Sequence, residues 1–122
     1  MGTALAGILA AGCLLENTSV VLAGRRMNKE VRAAEQPGSR FLSVPVLSLV
    51  QPICVKESHS GAERQGVREL RLAAHSKRIF EDIKALRNAR VDVTGIISLV
   101  RESSGPDVIL TVRAIKRRAA GD

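Results

Sequence analysis

The stretch from Arg90 to Arg118, RVDVTGIISLVRESSGPDVILTVRAIKRR, constrains the fold most. Val91, Val93, Ile97 and Leu99 belong to one apolar, β-branched run, and Val108 to Ile115 make a second. Between them Arg101-Glu102-Ser103-Ser104-Gly105-Pro106-Asp107 is dense in turn formers. Two strand-like runs around a polar turn predict a long β-hairpin. Gly95 interrupts the first run, where a lone glycine marks a bulge or a bend. A bent strand suits a small barrel, which must curl its sheet to close it.

The rest of the chain supplies partners for that hairpin. Asn17 to Arg25 reads as a first strand built on Val20, Val21 and Leu22 and ending near Gly24, with Val31-Arg32-Ala33-Ala34 continuing it weakly. Gln36-Pro37-Gly38-Ser39 is a turn by composition. Arg40 to Val50 is a second strand in which Pro45 demands an edge or a bulge. Residues 51–66, with Pro52, Ser58, Ser60, Gly61 and Gly66, read as a surface loop. Val67 to Ala74 alternates as a third strand. From Ser76 to Asn88 the period changes, and Ile79, Phe80, Ile83 and Leu86 fall on one helical stripe expected to face the core. Ser76 suits the N-cap, and Lys84 and Arg87 suit the C-terminal end.

Three strands, one helix and two strands is the order of the OB-fold, a five-stranded Greek-key barrel with its helix between strands three and four. The expected architecture is therefore mainly β: an N-terminal extension over 1–16, an OB domain over 17–118 and a short tail over 119–122. Residues 1–16 carry an apolar run from Ala4 to Leu15 that is too short to span a bilayer. Leu9-Ala10-Ala11-Gly12-Cys13 resembles a lipoprotein cleavage box, but no Lys or Arg precedes the apolar run as a secretory signal requires. A short helix packed on the barrel, or a loose extension dispensable to the fold, is the expectation.

Charge narrows function. The chain carries a net charge of +7, and fourteen of its nineteen cations are arginine. Arginine makes forked contacts to phosphate, so the balance points to polyanions, nucleic acid first. Only Phe41 and Phe80 are aromatic, and Phe80 is assigned to the core, so base stacking is expected to contribute little. Arg25, Arg26, Lys29 and Arg32 cluster at the end of strand one as a candidate phosphate-contacting edge. Arg40, Arg71, Arg101, Arg113 and Lys116 complete the candidate nucleic-acid set, with Arg117 and Arg118 extending a basic tail.

No catalytic arrangement is recognisable. There is no Gly-x-Ser-x-Gly, and Gly61 to Gly66 leads into Val67 without the lysine of a phosphate loop. His59 and His75 stand alone, and Cys13 and Cys54 make no spaced metal-ligand set. No cofactor and no metal are expected. The two cysteines are read as reduced thiols of a cytoplasmic protein, with a disulfide between them as the open alternative.

Asn17-Thr18-Ser19-Val20-Val21-Leu22-Ala23-Gly24, Glu30-Val31-Arg32 followed by Pro37-Gly38, and the ungapped block Arg71 to Gly95 closing on Val93-Thr94-Gly95-Ile96-Ile97-Ser98 together resemble a bacterial family. It is that of the single-stranded-DNA-binding proteins, and within it the primosomal replication protein N branch. The resemblance spans about residues 17–117. It implies an OB-fold without catalysis and single-stranded DNA binding in replication or replication restart. It also implies a homodimer that contacts a helicase and other primosome proteins. By that resemblance Arg101 stands where the branch has a lysine in its strand four to five loop, and Val67 where some members carry a stacking tryptophan. Glu102-Ser103-Ser104-Gly105 lacks the loop's other lysines. The rival expectation is an OB module that docks a protein instead. A third is a periplasmic OB domain anchored through a lipid on Cys13, the one case in which a membrane would be a partner.

Overall fold

The computed structural model describes residues 12–32, 41–100 and 108–118. In chain order the elements are β1 (Leu14–Leu15), β2 (Ser19–Arg32), β3 (Phe41–Lys56), β4 (Glu63–Ala74), α1 (Lys77–Ala85), β5 (Arg90–Leu99) and β6 (Val108–Arg117). The hairpin of β5 and β6 pairs from Leu99↔Val108 to Val91↔Arg117. Residues 1–11, 33–40, 101–107 and 119–122 lie outside the described residues, and with them the turns expected at 36–39 and 101–107.

Five strands close on themselves. β2 pairs antiparallel with β3, β3 with β4, β4 in parallel with β6, β6 antiparallel with β5, and β5 with β2. The parallel step between β4 and β6 needs a crossover, and α1 with β5 provides it. This circuit, with the helix between the third and fourth barrel strands, gives an OB-like barrel. The sixth strand, β1, is an addition at the edge, parallel to the end of β3 through Leu14↔Val55 and Leu15↔Lys56. The sheet therefore reaches back beyond the expected start at Asn17, and Leu14–Leu15 is strand, not helix or loose extension.

Closure depends on strands that serve two neighbours. β2 gives Ser19 to Arg25 to β5 and Arg25 to Arg32 to β3. At the crossover two glycines let backbones approach. A Cβ on Gly24 would run into the Ser48 carbonyl oxygen, and one on Gly95 into that of Thr111. The bulge signalled by Gly95 falls on the partner strand. The register steps from Thr94↔Ala114 to Gly95↔Val112, leaving Arg113 as the extra residue on β6.

The main departure from expectation is residues 51–66. β3 continues through Lys56 and β4 begins at Glu63. Pro52 is absorbed where the β3–β4 register breaks between Ser48 and Ile53, so it removes no ladder bond from a regular pair. Pro45 pairs with Asn28 just before the β4 ladder opens at Val46↔Arg71.

Alternate residues of each strand fill the barrel. Leu47, Leu70, Val91, Val93, Ile97, Leu110 and Val112 are fully buried, and Ile83 of α1 closes one end. Each is worth about 1.5–3 kcal/mol of transfer free energy. Val31, Val44 and Val46 form a second buried cluster with Met27 against it. Ser76 caps α1 as expected, its Oγ accepting from the Ile79 N–H at 3.2 Å. Phe80 departs from the predicted core stripe. It is 50% exposed, with Lys84 Nζ 5.2 Å from its ring centre. The stripe is narrower than the sequence suggested, with Ile83 buried and Ile79 and Leu86 packed beside it.

The cysteines also differ from expectation. Cys13 and Cys54 form a disulfide with Cα atoms 4.5 Å apart, across 41 residues of chain.

Two measurements check this packing. Gly24→Ala and Gly95→Ala should each lower stability by about 1–3 kcal/mol in urea unfolding, and neutral values would show that the backbones need not meet so closely. Ile83→Ala should cost about 2–5 kcal/mol, whereas Phe80→Ala should fall within the roughly half a kcal/mol typical of surface changes.

Candidate nucleic-acid interface

The predicted edge of Arg25, Arg26, Lys29 and Arg32 is divided by the fold. Arg26 is only 4% exposed, and its groups are engaged inside the protein. Its N–H donates to the Ala89 carbonyl at 2.9 Å, and its own carbonyl accepts from the Asn88 N–H at 2.6 Å. Its Nε donates to the Ile83 carbonyl at 2.9 Å, and its Nη1 to the Met27 carbonyl at 2.8 Å and to Asn28 Oδ1. The Ile83 carbonyl belongs to the last turn of α1, where intrahelical donors run out and the dipole favours a cation. Burial, and secondarily the Arg87 charge, lower the Arg26 pKa from its ordinary value. Arg26 is thus corrected from a phosphate contact to a structural clamp. The reason lies in strand alternation: it continues the inward line of Val20, Leu22 and Gly24.

The other predicted cations are distributed around the barrel. Lys29 is exposed but bridges Glu69 at 2.6 Å, reaching from β2 to β4; such exposed pairs contribute about 0–1 kcal/mol. Arg71, half-buried, lines a concavity of about 450 Å³ beside α1 with Pro45, His75, Lys77 and Phe80. Arg113 stands exposed on the bulge, and Lys116 is exposed opposite Asp92. Arg40 and Arg101 lie outside the described residues, as does the side chain of Arg32.

Arg25 does reach a site. It is exposed, and its Nη1 donates to the Asn88 carbonyl at 2.8 Å. Its register partner on β5 is Arg90. The Arg118 N–H donates to the Arg90 carbonyl at 2.8 Å, continuing the β5–β6 ladder one rung past Val91↔Arg117. Arg25, Arg90 and Arg118 therefore stand in a row across three adjacent strands, a span of about 10 Å. Like charges directly opposite one another are destabilising. Arg118 Nη1 lies 3.6 Å from an Asp92 carboxylate oxygen.

The row rims a cleft of about 780 Å³. The cleft opens where β2 and β3 part company, since their pairing begins at Arg25↔Ser48 and Ser19 to Gly24 turn to β5 instead. Leu22, Leu49, Val50 and Ile53 supply its apolar lining, and none of its lining residues among those described is acidic. Arg90 was missing from the predicted set, which had Arg118 only as part of a tail. The signal for both was the hairpin register, which places the first residue of β5 beside the residue after β6.

Cys13, Cys54 and Glu63, distant in sequence, lie near one another in the fold. Among the described residues no helix is long and apolar enough to cross a membrane.

No protein-family model matches the chain, and no curated protein matches it. Among solved structures it is similar to the crystal structure of a small single-stranded DNA-binding protein from Streptomyces coelicolor. The two share 17% identity over 86% of this chain and 96% of that one, with a TM-score of 0.49.

The clamp can be tested apart from the rim. Arg26→Ala should lower stability by at least about 2 kcal/mol, because it leaves buried carbonyls without donors, while Arg25→Ala should cost under about 1 kcal/mol. Equal urea midpoints for the two variants would return Arg26 to the surface set.

Proposed function

We propose that this protein binds single-stranded nucleic acid, DNA in the first instance, by electrostatic capture along the Arg25–Arg90–Arg118 row, without catalysis. The observation that carries the reading is the row itself. Three arginines stand level with one another on adjacent strands at the mouth of an apolar cleft, in a chain of net charge +7. An isolated barrel gains nothing from that repulsion, whereas a phosphate backbone laid across it relieves it and releases counterions. The apolar lining offers bases a surface out of water. Phe80 and Arg71 in the concavity beside α1 offer a ring and a cation for a further nucleotide.

A cytoplasmic role in replication or replication restart, a homodimeric state and a helicase or primosome partner complete the proposal. These rest on the resemblance of residues 17–24 and 71–98 to the primosomal branch.

Protein docking is the second reading, favoured by Val21 and Val50, which are 68% and 83% exposed. An extended peptide could pair with the edge of β3 that β2 leaves.

Binding of a labelled oligonucleotide at several salt concentrations separates the two. If all three arginines neutralise phosphates, log affinity against log salt should have a slope of about −2.1 for a single strand. Arg90→Ala should flatten it by about 0.7, with little dependence on base sequence. A slope near zero, or no binding at low salt, would eliminate the nucleic-acid reading.

A further inference from the structure

A second chemical site lies where β1, β3 and β4 meet. The parallel register of Leu14↔Val55 and Leu15↔Lys56 puts Cys13 level with Cys54 one rung back. Glu63 is the register partner of Lys56, and Cys54, two residues earlier on β3, shares the Lys56 face. The two sulfurs and a Glu63 carboxylate oxygen consequently lie within 4.8 Å of one another. They open on a concavity of about 450 Å³, with both cysteines half-buried and Glu63 exposed. Gln65 Nε2 donates to Glu63 Oε1 at 2.9 Å, orienting the carboxylate while leaving its other oxygen for a ligand. A carboxylate held by an outer hydrogen bond is a usual feature of metal sites.

We propose that reduction of the Cys13–Cys54 disulfide converts this corner into a site for a soft divalent cation of the Zn²⁺ class. Cys13 and Cys54 thiolates and the Glu63 carboxylate are the protein ligands, and water is the fourth. Two thiolates and a carboxylate suit zinc and suit neither calcium nor magnesium. The reaction has two stages. A dithiol reductant delivers two electrons to the S–S bond and is itself oxidised to a disulfide. The bond breaks and each sulfur takes a proton. Zn²⁺ then binds both sulfurs and displaces those two protons to solvent. With Zn–S bonds of about 2.3 Å, tetrahedral coordination sets the sulfurs about 3.8 Å apart. The ligands can accommodate that separation because Cys13 lies just before β1, which is tied to β3 by only two register pairs. The disulfide and the metal are alternative fastenings of the same strand, chosen by redox conditions.

The test uses the full chain, reduced with a dithiol, freed of reductant without oxygen, and titrated with Co²⁺ alone. A thiolate-to-cobalt absorption band should grow to one equivalent, vanish on addition of Zn²⁺, and be absent from the oxidised protein. Cys54→Ser should abolish it, and Glu63→Gln should weaken Co²⁺ binding at least about tenfold. Zn²⁺ should raise the melting temperature of the reduced protein and not of the oxidised one. The proposal fails if the reduced protein gives no band, if the oxidised protein binds as well, or if Glu63→Gln binds with unchanged affinity. Glu63→Gln keeps the disulfide intact for folding, so it decides the matter even if Cys54→Ser does not fold.

Discussion

The barrel depends on one buried cation. Arg26 sits where β2 turns from β5 to β3, and it is bonded to the helix that closes the barrel end. Its backbone holds the Asn88–Ala89 turn, and its guanidinium holds the Ile83 carbonyl. Asn88, at φ 65, adopts the left-handed conformation that asparagine tolerates well and lets the chain leave α1 directly into β5. Burying a guanidinium is unfavourable, as the lowered pKa records. It is tolerated here because the charge meets the negative end of the helix and several oxygens at once. An apolar residue of similar length could fill the space but could not join β2, α1 and the turn before β5.

Strand alternation made much of this legible. Val91, Val93 and Ile97, and Val108, Leu110 and Val112, face inward in the period the sequence displays, and Ser76 caps the helix where its side chain suggested. Composition misled where local signals conflicted with long-range pairing. Residues 51–56 contain Pro52 and few strand markers, yet Ile53 and Val55 alternate and find partners in Val67 and Arg64. Phe80 looked like core because it lies between Ile79 and Ile83, but the helix buries only a narrow strip. The Cys13–Cys54 pair could not be read from spacing, because it depends on β1 lying parallel to the end of β3.

The same distinction separates the two halves of the basic surface. Arg25 and Arg26 are neighbours in a strand, so they must face opposite ways. One is bound into the structure and the other stands at the cleft rim. A cluster of cations in sequence is therefore no measure of a cluster in space. The row that does form joins residues 25, 90 and 118, from three strands. Its repulsion is partly offset by Asp92 and by the Asn88 carbonyl, so the barrel tolerates the row with no ligand present.

β3 connects the cleft to the disulfide. Its first half is held between β2 and β4, but beyond Ser48 it leaves β2, and its pairing with β4 stays irregular until Val55. The segment Leu49–Ile53 forms a wall of the cleft while having the weakest backbone support of any part of the strand. Cys54, immediately after it, is fastened to Cys13. By the loop-entropy relation, a cross-link over 41 residues can contribute about 4 kcal/mol, more than the few hydrogen bonds of β1 would supply. The geometry of the arginine-rimmed cleft is thus set from both ends of one strand segment, by the Arg25↔Ser48 rung and by the sulfur link.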